Sequence, residues 1–171
     1  IPKIHTNQFN SIGGIETALS VEAISADHLE VCSGPEIKQL ATGSTVATVL
    51  PGVSLYLNLN YAPARKLMEA GSVVAIASDF NPGSSKTLST QLLQTLACTQ
   101  MGLTPAQALC CVTQNGARAL GMKQTGCIHP GYFADLLILD TDNYVDMAAD
   151  FGENHIQTVV KKGRAVWTSS R

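Results

Sequence analysis

The sequence predicts an α/β fold organised on a parallel sheet with right-handed crossovers, either doubly wound or part of a barrel. Three observations predict it. Val73-Val74-Ala75-Ile76-Ala77 is an apolar, β-branched run without polar alternation, the pattern of a strand buried on both faces. It leads into Ser78-Asp79 and then a loop of Asn81, Pro82, Gly83 and Ser84. Similar runs occur upstream, at Pro2 to His5, Ala23 to His28 and Thr45 to Gly52, the last ending in a Pro51-Gly52 turn. The four strand ends lie near residues 5, 28, 50 and 79, so steps of 23, 22 and 29 residues each accommodate a strand, a loop and a short helix.

Helical segments fit between these runs. Gly14 to Val21 carries Ile15, Ala18 and Leu19 on one face. Pro35 to Ala41 groups Ile37, Leu40 and Ala41, with Pro35 in the first turn, where its missing N–H does no harm. Pro63 to Ala70 sets Ala64, Leu67 and Met68 inward, leaves Arg65, Lys66 and Glu69 outside, and stops at Gly71. Beyond Asp79 the character changes. Thr87 to Met101 reads as a long helix with Leu88, Leu92 and Leu96 in register. Thr104 and Pro105 start a second that includes Ala108 to Val112, and Asn115 to Leu120 forms a third. Phe133 to Leu139 then reads as a strand. Ile156 to Lys161 and Arg164 to Thr168 form a hairpin through Lys162-Gly163, giving a small separate sheet.

Composition narrows the function classes. With 171 residues, 45% hydrophobic and only 14% charged, the chain suits an enzyme with a buried sheet and argues against disorder. A net charge of −2 gives no electrostatic reason to expect nucleic acid or an anionic membrane as partner. No run approaches the roughly 18 apolar residues of a membrane span. Cys32, Cys98, Cys110, Cys111 and Cys127 form no C-x-x-C pair and read as reduced thiols of a cytoplasmic protein.

His5, His28 and Asp79 each end a predicted parallel strand, and in a barrel all three would converge on the rim where catalytic groups and metal ligands sit. Imidazole and carboxylate donors suit zinc or iron(II), and a catalytic zinc takes at least three protein ligands. His129, before Pro130-Gly131, and His155, after Asn154, lie off these strands and read as structural or exposed. Four visible strands against the eight of a barrel, and a chain that opens within a strand, read as the carboxyl-terminal part of a larger enzyme.

Four segments carry a closer resemblance: Ile4-His5-Thr6-Asn7-Gln8-Phe9-Asn10-Ser11-Ile12-Gly13-Gly14, Ser25-Ala26-Asp27-His28-Leu29-Glu30, Leu50-Pro51-Gly52 and Ser78-Asp79-Phe80-Asn81-Pro82-Gly83-Ser84-Ser85. With Leu96 to Met101, Pro130 to Leu136 and Phe151 to His155, they make the chain resemble the imidazolonepropionase family of the metal-dependent amidohydrolase superfamily. The resemblance implies the carboxyl-terminal half of a (β/α)8 TIM-type barrel, strands 5 to 8 with their helices, over residues 1–125. Strands of a small β-sandwich domain would follow over residues 126–171.

The resemblance also implies one divalent ion, zinc or iron, with His5 as the ligand on the fifth barrel strand and Asp79 as the ligand on the eighth. Gln8, where the family has Glu or Gln, would contact the substrate ring, and His28 would lie beside the scissile amide. Asn81, Gly83 and Ser84 would hold substrate or product, and Asp79 would carry the proton from the attacking water to the leaving nitrogen. The reaction implied is hydrolysis of 4-imidazolone-5-propanoate to N-formimidoyl-L-glutamate in histidine degradation, by a cytoplasmic enzyme of a type that often pairs as a homodimer. The family's His-x-His pair and its arginine for the substrate carboxylate would precede Ile1, so the chain alone is expected to hold half a metal site and to be inactive. The strand-end His, His and Asp would serve equally in another cyclic-amide hydrolase or a deaminase. A non-catalytic fragment is the alternative from a different class.

Overall fold

The computed structural model describes residues 1–170. Four short strands, β1 (Lys3–Thr6), β2 (Ser25–His28), β3 (Val46–Val49) and β4 (Val74–Ile76), pair in parallel in the order β1-β2-β3-β4. Chain order and spatial order coincide, so each strand adds beside its predecessor, as in a barrel wall. The helices α1 (Gly14–Ser20), α2 (Gly34–Thr42), α3 (Pro51–Leu57) and α4 (Ala64–Glu69) lie between the strands. α5 (Thr90–Met101), α6 (Pro105–Val112) and α7 (Gln114–Ala119) follow the last one.

The alternation of side chains along each strand separates two environments. Ala26, Ala47, Val49, Val74 and Ile76 join Ile15, Leu40, Leu67, Leu93 and Cys111 in one buried cluster between the sheet and its helices. Each valine, leucine or isoleucine side chain fully buried there contributes about 1.5–3 kcal/mol. On the opposite face Lys3, His5, Asp27, Thr48 and Ala75 line a common cleft. At one end of that face α7 covers Val46 and Ala75 with Ala119, and Asn115 Nδ2 donates to Val74 O at 2.8 Å. That bond satisfies an edge-strand carbonyl.

Several sequence expectations require correction. Pro51-Gly52 is the first turn of α3, with Pro51 at a position where proline's φ is preorganised, and not a turn closing the strand. β4 stops at Ile76, so Asp79 sits three residues beyond the ladder, although Ala77 N still donates to Val49 O at 3.2 Å. The long helix starts at Thr90, because the Ser89 hydroxyl accepts from Leu92 N at 3.2 Å and caps it. Leu88 therefore falls outside the helix and is 71% exposed, and the buried stripe is Leu93, Leu96, Ala97 and Met101.

A second sheet, antiparallel in the order β5-β6-β7, is built from β5 (Leu136–Leu139), β6 (Ile156–Lys161) and β7 (Arg164–Thr168). The β6–β7 hairpin turns at Lys162 and Gly163, both at positive φ (49° and 76°), as a type I′ turn requires. A short helix absent from the sequence reading, α8 (Asp146–Ala149), docks on α5 through Thr95 Oγ1, which donates to Ala148 O at 2.8 Å. Tertiary contact marks it, since four residues carry no readable period. Among the described residues, no helix is long and apolar enough to cross a membrane.

His155 ties this region together. Its Nδ1 lies 2.9 Å from Asp140 Oδ1, beyond β5, and its Nε2 lies 3.0 Å from Asp150 Oδ2, beyond α8. Only an imidazolium donates at both nitrogens. The hydrogen bond to Asp140, with that to Asp150 adding to it against the opposing effect of burial, holds the pKa above the ordinary histidine value. The clamp is therefore present in full below about pH 6.5 and is lost as pH rises through the raised value. Thermal unfolding of wild type and His155→Gln from about pH 5.5 to 9 should give a stability gap that is widest at the acid end and closes at the alkaline end; a gap independent of pH would contradict the clamp.

Candidate active site

The candidate residues gather where the parallel strands end. The register places His5 opposite Asp27 and Thr6 opposite His28. His5 Nε2 lies 3.5 Å from Asp27 Oδ2, and the His5 and His28 rings meet edge-on with centroids 5.1 Å apart. The His5 side chain is 60% exposed, whereas Asp27 and His28 are buried. The backbone at these ends is unusual for residues with side chains. Asn7, His28, Leu29 and Asp79 all have positive φ, at 55°, 87°, 70° and 46°. Each such residue costs about 1–3 kcal/mol and persists only where its surroundings over-determine it.

Those surroundings can be named. Leu29 N donates to Thr6 O at 3.2 Å and Val31 N to Asn7 O at 2.8 Å, which extends the β1–β2 contact into the loops. Gly14 lets α1 begin against β1, because a Cβ there would fall 1.7 Å from Thr6 Oγ1. The loops meet on one buried carboxylate. Glu36 accepts from Asn7 Nδ2 (2.7 Å), Ser11 Oγ (2.5 Å), Ser33 N (2.7 Å) and Ser33 Oγ (2.6 Å). Although burial alone would raise it, these donors together hold the Glu36 pKa down at about 2.

Asp79 belongs to a loop that is closed on itself. Asn81 Nδ2 donates to Asp79 O (2.6 Å), to Ser84 Oγ (2.9 Å) and, more weakly, to Asp79 Oδ2 (3.3 Å). Asn81 Oδ1 accepts from Gly83 N at 2.9 Å and from Ser84 N at 2.8 Å. The Asn81 carboxamide is thus engaged at both ends in shaping the loop.

Two cavities divide these residues. A cleft of about 870 Å³ over the face of the sheet opposite the buried cluster is lined by Lys3, His5, Asp27, Asp79 and residues of α6, α7 and the second sheet. A smaller cavity of about 430 Å³ is lined by His5, Gln8 and His28 with the loop that follows β1. His5 lies on both. Asn81, Gly83 and Ser84 are not among the residues lining either cavity.

His5 and Asp79 fit a divalent ion in kind, an imidazole and a carboxylate on one cleft. They fall short of a catalytic set in number, since among the described residues no three His, Cys, Asp or Glu side chains group around one point. Sequence reasoning gave no role to Asp27. Its Oδ1 accepts from Ser25 Oγ at 2.7 Å, and Ser25 Oγ in turn accepts from Lys3 Nζ at 2.6 Å. The available signal was the period of two, which puts Lys3 with His5 and Ser25 with Asp27 on the same face. His129, beside Tyr132, and His155, held by Asp140 and Asp150, line neither cavity. Burial pushes the Cys32 and Cys111 thiols up to about 12, which makes them inert packing groups.

The Glu36 cluster makes a measurable claim. Because the folded carboxyl is held below the ordinary value, its contribution is complete above about pH 4.5 and is lost as pH falls toward 2. Glu36→Gln should cost about 1–3 kcal/mol near neutrality by urea unfolding. The gap to wild type should narrow on acidification below pH 4.5, and a constant gap would mean that the charge of Glu36 is irrelevant.

Comparison with known proteins identifies the family. Residues 18–166 match the model of the amidohydrolase family. The chain is 44% identical over 172 residues to an imidazolonepropionase of a Geobacillus species, covering all of this chain and 41% of that protein. It is 45% identical over 161 residues to the imidazolonepropionase of Deinococcus radiodurans, covering 94% of this chain and 40% of that protein. The chain thus spans about two fifths of the length of these relatives. In fold it is similar to an adenosine deaminase from Xanthomonas campestris solved with bound zinc, with a TM-score of 0.81 at 20% identity over 95% of this chain and 44% of that one. A match across most of its length, on a parallel sheet with histidines and a carboxylate at the strand ends, places the chain in the amidohydrolase family.

Proposed function

We propose that this chain is the carboxyl-terminal half-barrel, residues 1–125, and part of the small β-sandwich domain, residues 126–171, of an imidazolonepropionase. The enzyme would hydrolyse 4-imidazolone-5-propanoate to N-formimidoyl-L-glutamate in histidine degradation. The observation that carries this reading is identity of 44% to an enzyme of that name over the whole chain. The grouping of His5, Gln8 and His28 on one cavity supports it from the side of chemistry. The setting is cytoplasmic and the assembly a homodimer in this reading.

His5 and Asp79 would hold one divalent ion, zinc or iron, together with ligands from segments outside this chain. When bound, such an ion supplies a Lewis acid and makes hydroxide available at neutral pH. The residues of this chain do the rest. Gln8 offers the ring one carbonyl acceptor and two N–H donors, which orient the heterocycle without carrying protons. His28, in ring contact with His5, stabilises the oxyanion as the carbonyl is attacked. Asp79 takes the proton of the attacking water and delivers it to the leaving ring nitrogen. Asn81 serves by fixing the Asp79 loop, and Gly83 and Ser84, which its carboxamide aligns, hold substrate or product at the rim.

Metal content and imidazolone-propanoate hydrolysis should be measured on this polypeptide alone and after addition of the amino-terminal part of a related enzyme, against a panel of cyclic amides and aminopyrimidines. Turnover of imidazolone propanoate with near-stoichiometric metal in the complemented sample is expected. In that sample Asp79→Asn should lower kcat by about a hundred-fold or more, and His5→Ala should lose the metal. Preference for an aminopyrimidine would replace the reading by a deaminase.

A further inference from the structure

The carboxylate of Glu30 has no part in the reaction just described, yet it is buried beside the histidine that does. Its side chain is 1% exposed and that of His28 6%. Glu30 Oε1 lies 3.6 Å from His28 Nδ1, just beyond hydrogen-bonding distance, and accepts from Ser54 Oγ at 3.3 Å. Glu30 Oε2 and His28 Nδ1 are both fully buried and have no hydrogen-bond partner. An unsatisfied buried imidazole nitrogen is expensive, and the small shift that brings Glu30 Oε1 onto His28 Nδ1 relieves it.

The local fold produces this pairing. β2 ends at His28, and positive φ at His28 and Leu29 turns the chain so that Glu30 returns beneath the imidazole. Pro51 opens α3 immediately after β3, which brings Ser54 of its first turns onto Glu30. Catalytic hydrogen bonds are often long before a site is assembled and tighten on completion.

We propose that Glu30 is a positioning residue that accepts from His28 Nδ1–H, thereby fixing the ring and leaving Nε2 to face the reacting amide, where the charged ring donates to the oxyanion. A carboxylate that accepts from Nδ1–H selects this tautomer, and an apolar residue in the same place selects neither. The proposal rests on the reading of His28 as the group beside the reacting amide.

The chain has four histidines, so the ring nitrogens of His28 can be assigned by 15N NMR through loss of its signals in His28→Gln. In the neutral state wild type should show hydrogen on Nδ1. Glu30→Gln, whose amide oxygen still accepts, should retain it, and Glu30→Met should give a mixture of tautomers. In the complemented enzyme Glu30→Met should lower kcat about ten-fold or more with KM within about two-fold, and Glu30→Gln should recover most of the loss. Hydrogen on Nε2 in wild type, or the same tautomer in Glu30→Met, would overturn the proposal, and the wild-type spectrum decides even if Glu30→Met does not fold. Tautomer control without imidazolone turnover would refute the substrate and leave the pairing intact. Turnover without tautomer control would do the reverse.

Discussion

The register of β1 on β2 is the constraint from which the rest follows. Hydrogen bonding that sets His5 opposite Asp27 also turns Ile4 and Ala26 toward the helices, so polar rim and packed core are fixed in one step. A slip of one residue would bury His5 among aliphatic side chains and present Ile4 to the cleft. The loops reinforce the register. Backbone bonds from Leu29 to Thr6 and from Val31 to Asn7 continue it past the strand ends, and Glu36 fastens the resulting turns. The strained φ values at Asn7, His28 and Leu29 are sustained by this closure.

Much of this was legible in the sequence, and for a definite reason. Apolar runs at near-constant steps are a sufficient signature of parallel βα units, because each unit must bury its strand on both faces. His5, Asp79 and the Lys162-Gly163 hairpin were therefore found at or close to their structural positions. Local stop signals were read less well. Pro51-Gly52 has the composition of a turn, yet in the fold Gly52 is the small residue that admits Ser85 and Leu93 against α3. Leu88 continues the period of the helix that follows, but the Ser89 cap excludes it. A propensity window registers both patterns and cannot see which tertiary partner will choose between them.

The candidate site offered the sequence its conspicuous members and not their supports. Histidine at a strand end attracts notice; Asp27, Glu30 and Glu36 are carboxylates among ordinary residues, and only burial reveals that each is committed to particular partners. Asn81 illustrates another kind of support. The resemblance implies contact with substrate, and the fold adds a local task, since its carboxamide also bonds Asp79, Gly83 and Ser84. The residues that hold a site outnumber those that act in it, and their signature is a network and not a motif.

His5 forms a wall of both cavities, the one it shares with Asp79 and the one it shares with Gln8 and His28. A single imidazole between two compartments links their occupants wherever one of them moves or polarises the ring. By whatever factor a guest beside Gln8 alters the hold on an ion at His5, the ion must alter the affinity for that guest by the same factor. In the proposed enzyme, recognition of the ring and retention of the ion would at this residue be one free energy measured from two sides.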